Sequence, residues 1–163
     1  HYFGFKAVIL RLANIIGPRS RHGVIYDFIL KLKKNPKELK ILGDGSQTKS
    51  YLYIDDCINA IELIMQKSGG DVEIFNVGSE DQVSVRRIAE IVVDVLNLKD
   101  VKFQFTGGVN GGRGWKGDVK VMLLDTVKLR SLGWKPKYSC EESIRRTVRY
   151  LVEKEGFDNS PNS

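Results

Sequence analysis

The sequence predicts an α/β fold from three observations. Apolar residues recur at helical spacing in several segments, short β-branched and aromatic runs lie between those segments, and the two kinds alternate along the chain. Its 163 residues, 42% of them apolar and 28% charged, are enough for one globular unit, 1–163, that buries its own core.

The first run, KAVILRLANII (6–16), is apolar nearly throughout, the pattern of a strand covered on both faces of a parallel sheet. A Gly17-Pro18 turn closes it. Val24, Ile25, Phe28, Ile29 and Leu32 then predict a helix over 23–34, which the Asn35-Pro36 pair stops. LKIL (39–42) reads as a strand, and Asp44 between two glycines reads as a turn. SYLYI (50–54) is the next strand. It runs into a helix over 56–66, marked by Ile58, Ile61 and Met65, with Asp56 and Asp55 placed to cap its free amides.

EIFNV (73–77) precedes a helix over 84–97 that carries Ile88, Ile91, Val92 and Val95, and VKFQF (101–105) and VKVMLL (119–124) read as strands. A short helix after Asp125 ends at SLGW, where Gly133 can take a left-handed cap. The last helix, 140–155, has Ile144, Val148, Leu151 and Val152 on one face, and Ser139 and Glu142 stand at the spacing of a reciprocal capping pair. The tail GFDNSPNS (156–163) reads as a frayed terminus.

Composition narrows the function. The net charge is +6, densest at KLKKNPKELK (31–40), but the basic residues are mixed with 20 acids and match no nucleic-acid recognition motif. Lysines at a helix end complement its dipole, which accounts for that cluster as a solvated face. Two cysteines, Cys57 and Cys140, are too few for a disulfide framework or a cysteine-rich metal site and read as reduced, packed thiols. No GxGxxG follows a strand and opens a helix, and no P-loop occurs; GGVNGGRGWKGD is flanked by strands on both sides. No apolar run reaches the roughly 20 residues of a membrane span, and the start has neither a signal-peptide pattern nor an initiator Met. The expectation is a cytoplasmic chain, without a membrane partner, cut from a longer one.

In RLANIIGPRS (11–20), Asn14 sits near the carboxyl end of the first strand, where open α/β sheets bind ligands. Its amide can equally satisfy the turn backbone. LRLAN with GPR, HGVIYDFI, ILGDGSQTKSYLYIDD, FNVGSED, GGRGWKGDV and SLGWKP, in this order, resemble the motif series of the carboxyl-terminal half of nucleotide-sugar epimerases and dehydratases. These are extended short-chain dehydrogenase/reductases, UDP-glucose 4-epimerase-like. The resemblance covers Phe5 to about Leu151.

The resemblance implies an incomplete Rossmann unit: the last strands of a Rossmann-type parallel sheet, from 1–18 and about 73–78, plus the smaller α/β substrate-binding domain. The role implied is to hold the diphosphate, ribose and base of a UDP- or dTDP-sugar. An amino-terminal Rossmann half would supply NAD and the Tyr/Lys chemistry, and the parent family often pairs as homodimers. Tyr2/Lys6 and Tyr150/Lys154 match YxxxK by letters only, since the family's pair lies on a helix upstream of the LRLAN strand. No catalytic residue is therefore assigned, and the chain alone is expected to be inactive and not to bind NAD tightly.

A diphosphate, a ribose and a base need cations, backbone amides and a few aimed acceptors. By resemblance, Asn14 bonds the substrate near its diphosphate, Leu12 and Ala13 face the nicotinamide edge through their backbone, and His22, Gly23 and Val24 open the first substrate-domain helix. For His22 a capping or exposed role stays open. Lys49 stands where the family usually has an arginine on the diphosphate; it keeps the charge and loses the two-pronged geometry. Arg113 and Asp118 resemble the arginine and acid that hold phosphate and ribose, although they lie five apart where the commoner spacing is three and puts Trp115 in the arginine's place. Lys116 can substitute for the arginine, Trp115 can stack on the base or simply pack, and Leu42 is a candidate for lining the base pocket. A stand-alone, non-catalytic nucleotide-sugar binding domain and a basic nucleic-acid module remain as alternatives.

Overall fold

The computed structural model describes residues 4–155, so the tail 156–163 and Tyr2 lie outside the described residues. Strands β1 (Ala7–Leu12) and β2 (Asn14–Ile16) lead into helix α1 (Gly23–Lys34). β3 (Glu38–Ile41), β4 (Thr48–Lys49) and β5 (Tyr51–Tyr53) precede α2 (Ile54–Lys67). After β6 (Val72–Val77) and β7 (Val83–Ser84) comes α3 (Val85–Val95), then β8 (Lys102–Phe105), β9 (Val121–Met122), α4 (Val127–Ser131) and α5 (Cys140–Glu155). The α/β class is the one the sequence predicts.

The strands pair mostly in parallel. β1 runs beside β6 from Ala7↔Val72 to Leu12↔Val77, β2 beside β5, and β3 beside β8. β4 sits between antiparallel β7 and parallel β9. Two apolar clusters hold these pieces. In one, Phe28, Ile29 and Leu32 of α1 meet Ile88 and Ile91 of α3, Ile144 and Val148 of α5, and Leu39 and Ile41 of β3. In the other, Ala60 and Ile64 of α2 and Leu129 of α4 pack with Trp134 on Phe75 and Val77 of β6. Among the described residues no helix is long and apolar enough to cross a membrane.

Local chemistry sets the helix ends. α1 spans the residues its apolar spacing predicts and stops at Lys34 before Asn35-Pro36, with Lys31, Lys33 and Lys34 in its last turn. At α5, the Ser139 amide donates to Glu142 Oε2 at 2.9 Å and the Glu142 amide to Ser139 Oγ at 3.2 Å, so the predicted reciprocal cap is made. Ser84 caps α3 by accepting the Arg87 amide, and the helix ends at Val95, two residues short of the expectation, because Asn97 turns left-handed at φ 52°. Gly133, at φ 93°, follows α4 as predicted.

Three sequence expectations need correction. The first run is two strands: β1 stays with β6, while β2 leaves it for β5. Nor is β1 covered on both faces, for Ile9 is 47% and Ile74 is 41% exposed. Side chains alternate across a strand, and α2, α4 and Trp134 pack against one face only. Asp56, expected to cap α2, does not do so. That helix starts two residues earlier, its cap position is Tyr53 with no side-chain bond, and the buried Asp56 carboxylate accepts the Tyr138 amide at 3.1 Å.

Candidate functional site

The Ala13 amide donates to Val77 O at 2.9 Å, the last bond before the chain parts from β6. Beyond that divergence two cavities open at the carboxyl ends of the strands, the place where α/β sheets hold ligands. One, of about 320 Å³, is walled largely by Val24, Phe28, Leu42, Tyr51 and Val85. The other, of about 360 Å³, carries the polar side chains of Asn14, Ser20 and His22. They share Gly23, Val24, Lys49, Tyr51 and Trp115, so ligand groups in the two cavities would meet at this common wall.

Residues from three elements build the wall. At the start of α1, His22 holds the cap position with an extended backbone and makes no side-chain cap bond; no acid occupies the first turn. The first amides of α1 therefore remain available to an anion. His22 makes no cap bond but is exposed, one half of the capping-or-exposed alternative, and it also lines the polar cavity. Gln47 just before β4, Lys49 on β4 and Tyr51 on β5 alternate along the chain, and the period of two brings all three to the same cavity. Sequence reasoning singled out Lys49 alone, although that alternation was the signal for the other two.

Lys49 Nζ donates to Asp118 Oδ1 at 2.9 Å, across 69 positions of sequence, and stands 5.5 Å from the Trp115 ring centroid. Asp118 is 6% exposed and its other oxygen accepts the Gly114 amide at 3.1 Å and Gln47 Nε2 at 3.4 Å. Burial works to raise its pKa, but the bonds from Lys49, Gly114 and Gln47 together with the Lys49 charge outweigh it and hold the carboxyl below its ordinary value. Tyr51 goes the other way: burial, with Cys140 and Asp118 nearby, pushes its phenol up.

Asn14 combines its two candidate roles in part. Its Nδ2 donates to Ser50 O at 3.0 Å, while the residue lines the polar cavity. Leu42 lines the apolar one and Ala13 the polar one, whereas Leu12 is half-exposed at the end of β1 and borders neither. Arg113 is not brought to the cavities; its guanidinium donates to Asn110 O at 2.6 Å and its backbone closes a bridge with Val109. The Asp44 turn forms as predicted, with Oδ1 accepting the Ser46 amide at 2.8 Å. Both cysteines are free and buried.

A family model described as the NAD dependent epimerase/dehydratase family matches residues 1–78. The putative UDP-glucose 4-epimerase of Methanocaldococcus jannaschii is 31% identical over 153 residues, 91% of this chain and 47% of that protein. This chain is similar to the NAD-dependent epimerase/dehydratase family. Among solved family structures, the UDP-glucose 4-epimerase of Thermotoga maritima with UDP-glucose matches with a TM-score of 0.77 and 32% identity, over 94% of this chain and 48% of that one. The UDP-glucuronic acid 4-epimerase of Bacillus cereus, in complex with UDP-glucuronic acid and NAD, matches with a TM-score of 0.73 and 27% identity, over 90% and 45%. NAD is the cofactor of the family. The chain spans about half the length of the epimerase/dehydratase proteins it matches.

Proposed function

We propose that this chain is the nucleotide-sugar binding portion of an NAD-dependent epimerase/dehydratase. The observation that carries the reading is the pair of cavities with a common wall of uncapped helix amides and one lysine. Their chemistry suits the three parts of such a ligand in order. Apolar walls take the base, Lys49 and the first amides of α1 take the diphosphate, and Asn14, Ser20 and His22 meet the sugar hydroxyls. The relative solved with UDP-glucose, which aligns over 94% of this chain, supports the same ligand class.

Residues 1–18 and about 73–78 would then belong to the Rossmann sheet, and the partner would be an amino-terminal Rossmann half set against β1. Homodimers of the assembled enzyme follow from the same reading. Toward NAD the chain offers the carboxyl end of β1, where Leu12 is half-exposed and Ala13 reaches the polar cavity. That edge suits the nicotinamide end of the cofactor. The glycine-rich segment 107–120 is spent elsewhere, since Gly112 O accepts the Asp44 amide at 3.0 Å. NAD supplies the hydride exchange when bound, and this chain orients the sugar toward it.

Calorimetry of a UDP- or dTDP-sugar on the chain tests the reading. Lys49→Ala is expected to weaken binding roughly tenfold, the scale of one charged hydrogen bond. Arg113→Ala, whose guanidinium serves a loop carbonyl, is expected to leave affinity within about twofold. Binding unchanged by Lys49→Ala would remove the lysine from the diphosphate, and no binding at all would sink the whole assignment.

A further inference from the structure

We propose that Trp115 is the platform on which the ligand's nucleobase stacks, an assignment that rests on the nucleotide-sugar reading above. Trp115 lines both cavities and is 55% exposed, whereas Trp134, the chain's other tryptophan, is 5% exposed within the second apolar cluster. Trp115 belongs to neither cluster. An indole left open on a cleft rim forgoes apolar burial that a flat ligand ring would restore.

The exposed position is built into the backbone. Trp115 O accepts the Asp118 amide at 3.1 Å, and on its other side the Gly114 amide donates to Asp118 Oδ2 at 3.1 Å. A turn tied to a buried carboxylate holds Trp115 at the rim. Lys49 Nζ lies over the Trp115 ring, 5.5 Å from its centroid, so a cation stands against one aromatic face while the indole stays more than half exposed. Their complement is a flat ring carried a short distance from an anionic oxygen. The cavity whose walls suit a base, with Phe28 and Leu42, begins beside that face.

Tryptophan fluorescence and calorimetry on the 163-residue chain test this with UDP, pyrophosphate and glucose 1-phosphate. UDP is expected to change the emission, and the two ligands without a base are expected to leave it unchanged. Trp115→Phe should hold UDP affinity within about threefold and Trp115→Leu lower it roughly tenfold, as loss of one base stack does. Pyrophosphate affinity should be the same in both variants. In Trp115→Phe, UDP should no longer alter the remaining emission. Equal emission changes with glucose 1-phosphate, or full UDP affinity in Trp115→Leu, would overturn the stacking role while leaving the nucleotide-sugar reading intact. Failure of UDP to bind the native chain would overturn both. The comparison of UDP with pyrophosphate needs no variant, so a misfolded substitution cannot hide the answer.

Discussion

At the residue scale, side chains far apart in sequence take their roles from one another. Lys49 reads as a cationic strand residue by itself, and its aim along the common wall comes from Asp118, which three donors hold ionised against burial. Cys140 shows the opposite balance. Its thiol is fully buried, Tyr51 O and Asp81 O at 3.3 and 3.2 Å are the two acceptors within reach of its single proton, and burial pushes its pKa up to about 12. A thiol in the unfolded chain releases its proton near pH 8.5. Its contribution to stability is therefore whole below about pH 8.5 and declines as pH rises toward the folded value, by at most ~1.4 kcal/mol per pH unit. Urea midpoints measured from pH 7 to 10 should fall. The same series in Cys140→Ala, less stable at neutral pH, should be flatter, and an equally steep decline in that variant would remove Cys140 as the cause. Native thiol titration should find neither cysteine reactive.

At the element scale, the glycine-rich segment between β8 and β9 presents Trp115 and Asp118 to the apolar cavity. It interlocks with the Asp44 turn, where Gly112 at φ 91° leaves room that a Cβ would take from the Asp44 carboxylate. Gly112→Ala combines left-handed strain with displacement of Asp44 and should cost about 2 kcal/mol, or roughly 4–8 °C in melting temperature for a chain of this size. Gly107, at φ 72°, has nothing within 4 Å of a Cβ position, so Gly107→Ala should cost only the strain and fall less. Equal losses in the two variants would separate the interlock from stability. Helices were the elements most legible in the sequence, because apolar spacing and caps act within a few residues; α1 begins and ends, and α5 begins, where their patterns place them. The two-residue strands β4 and β7 were not legible. A pairing that short is decided by its neighbours across the sheet, with no periodicity of its own.

At the scale of the whole molecule, the sheet pair β1 and β6 keeps one apolar face open, with Ile9, Val72 and Ile74 exposed. A face of that kind is a candidate for cover by other protein, and the proposed amino-terminal Rossmann half is the cover that suits a parallel sheet. An apolar dye should bind this chain at neutral pH. Ile74→Lys should reduce that binding while changing stability by less than about 1 kcal/mol, because the side chain leaves no packed neighbour behind. Unchanged dye binding would place the apolar surface elsewhere.

By itself the sequence determined the α/β alternation, the limits of α1 and the start of α5, the family resemblance and the lysine at the cleft, since local spacing and ordered motifs carry all four. It could not decide that Asp118 neutralises Lys49, that Arg113 serves a loop carbonyl, that Asp56 anchors the backbone at Tyr138, or that the first run splits between two partners. Each of those depends on groups brought together from distant positions, where burial and hydrogen-bond competition set the outcome. Only the folded chain fixes which groups those are.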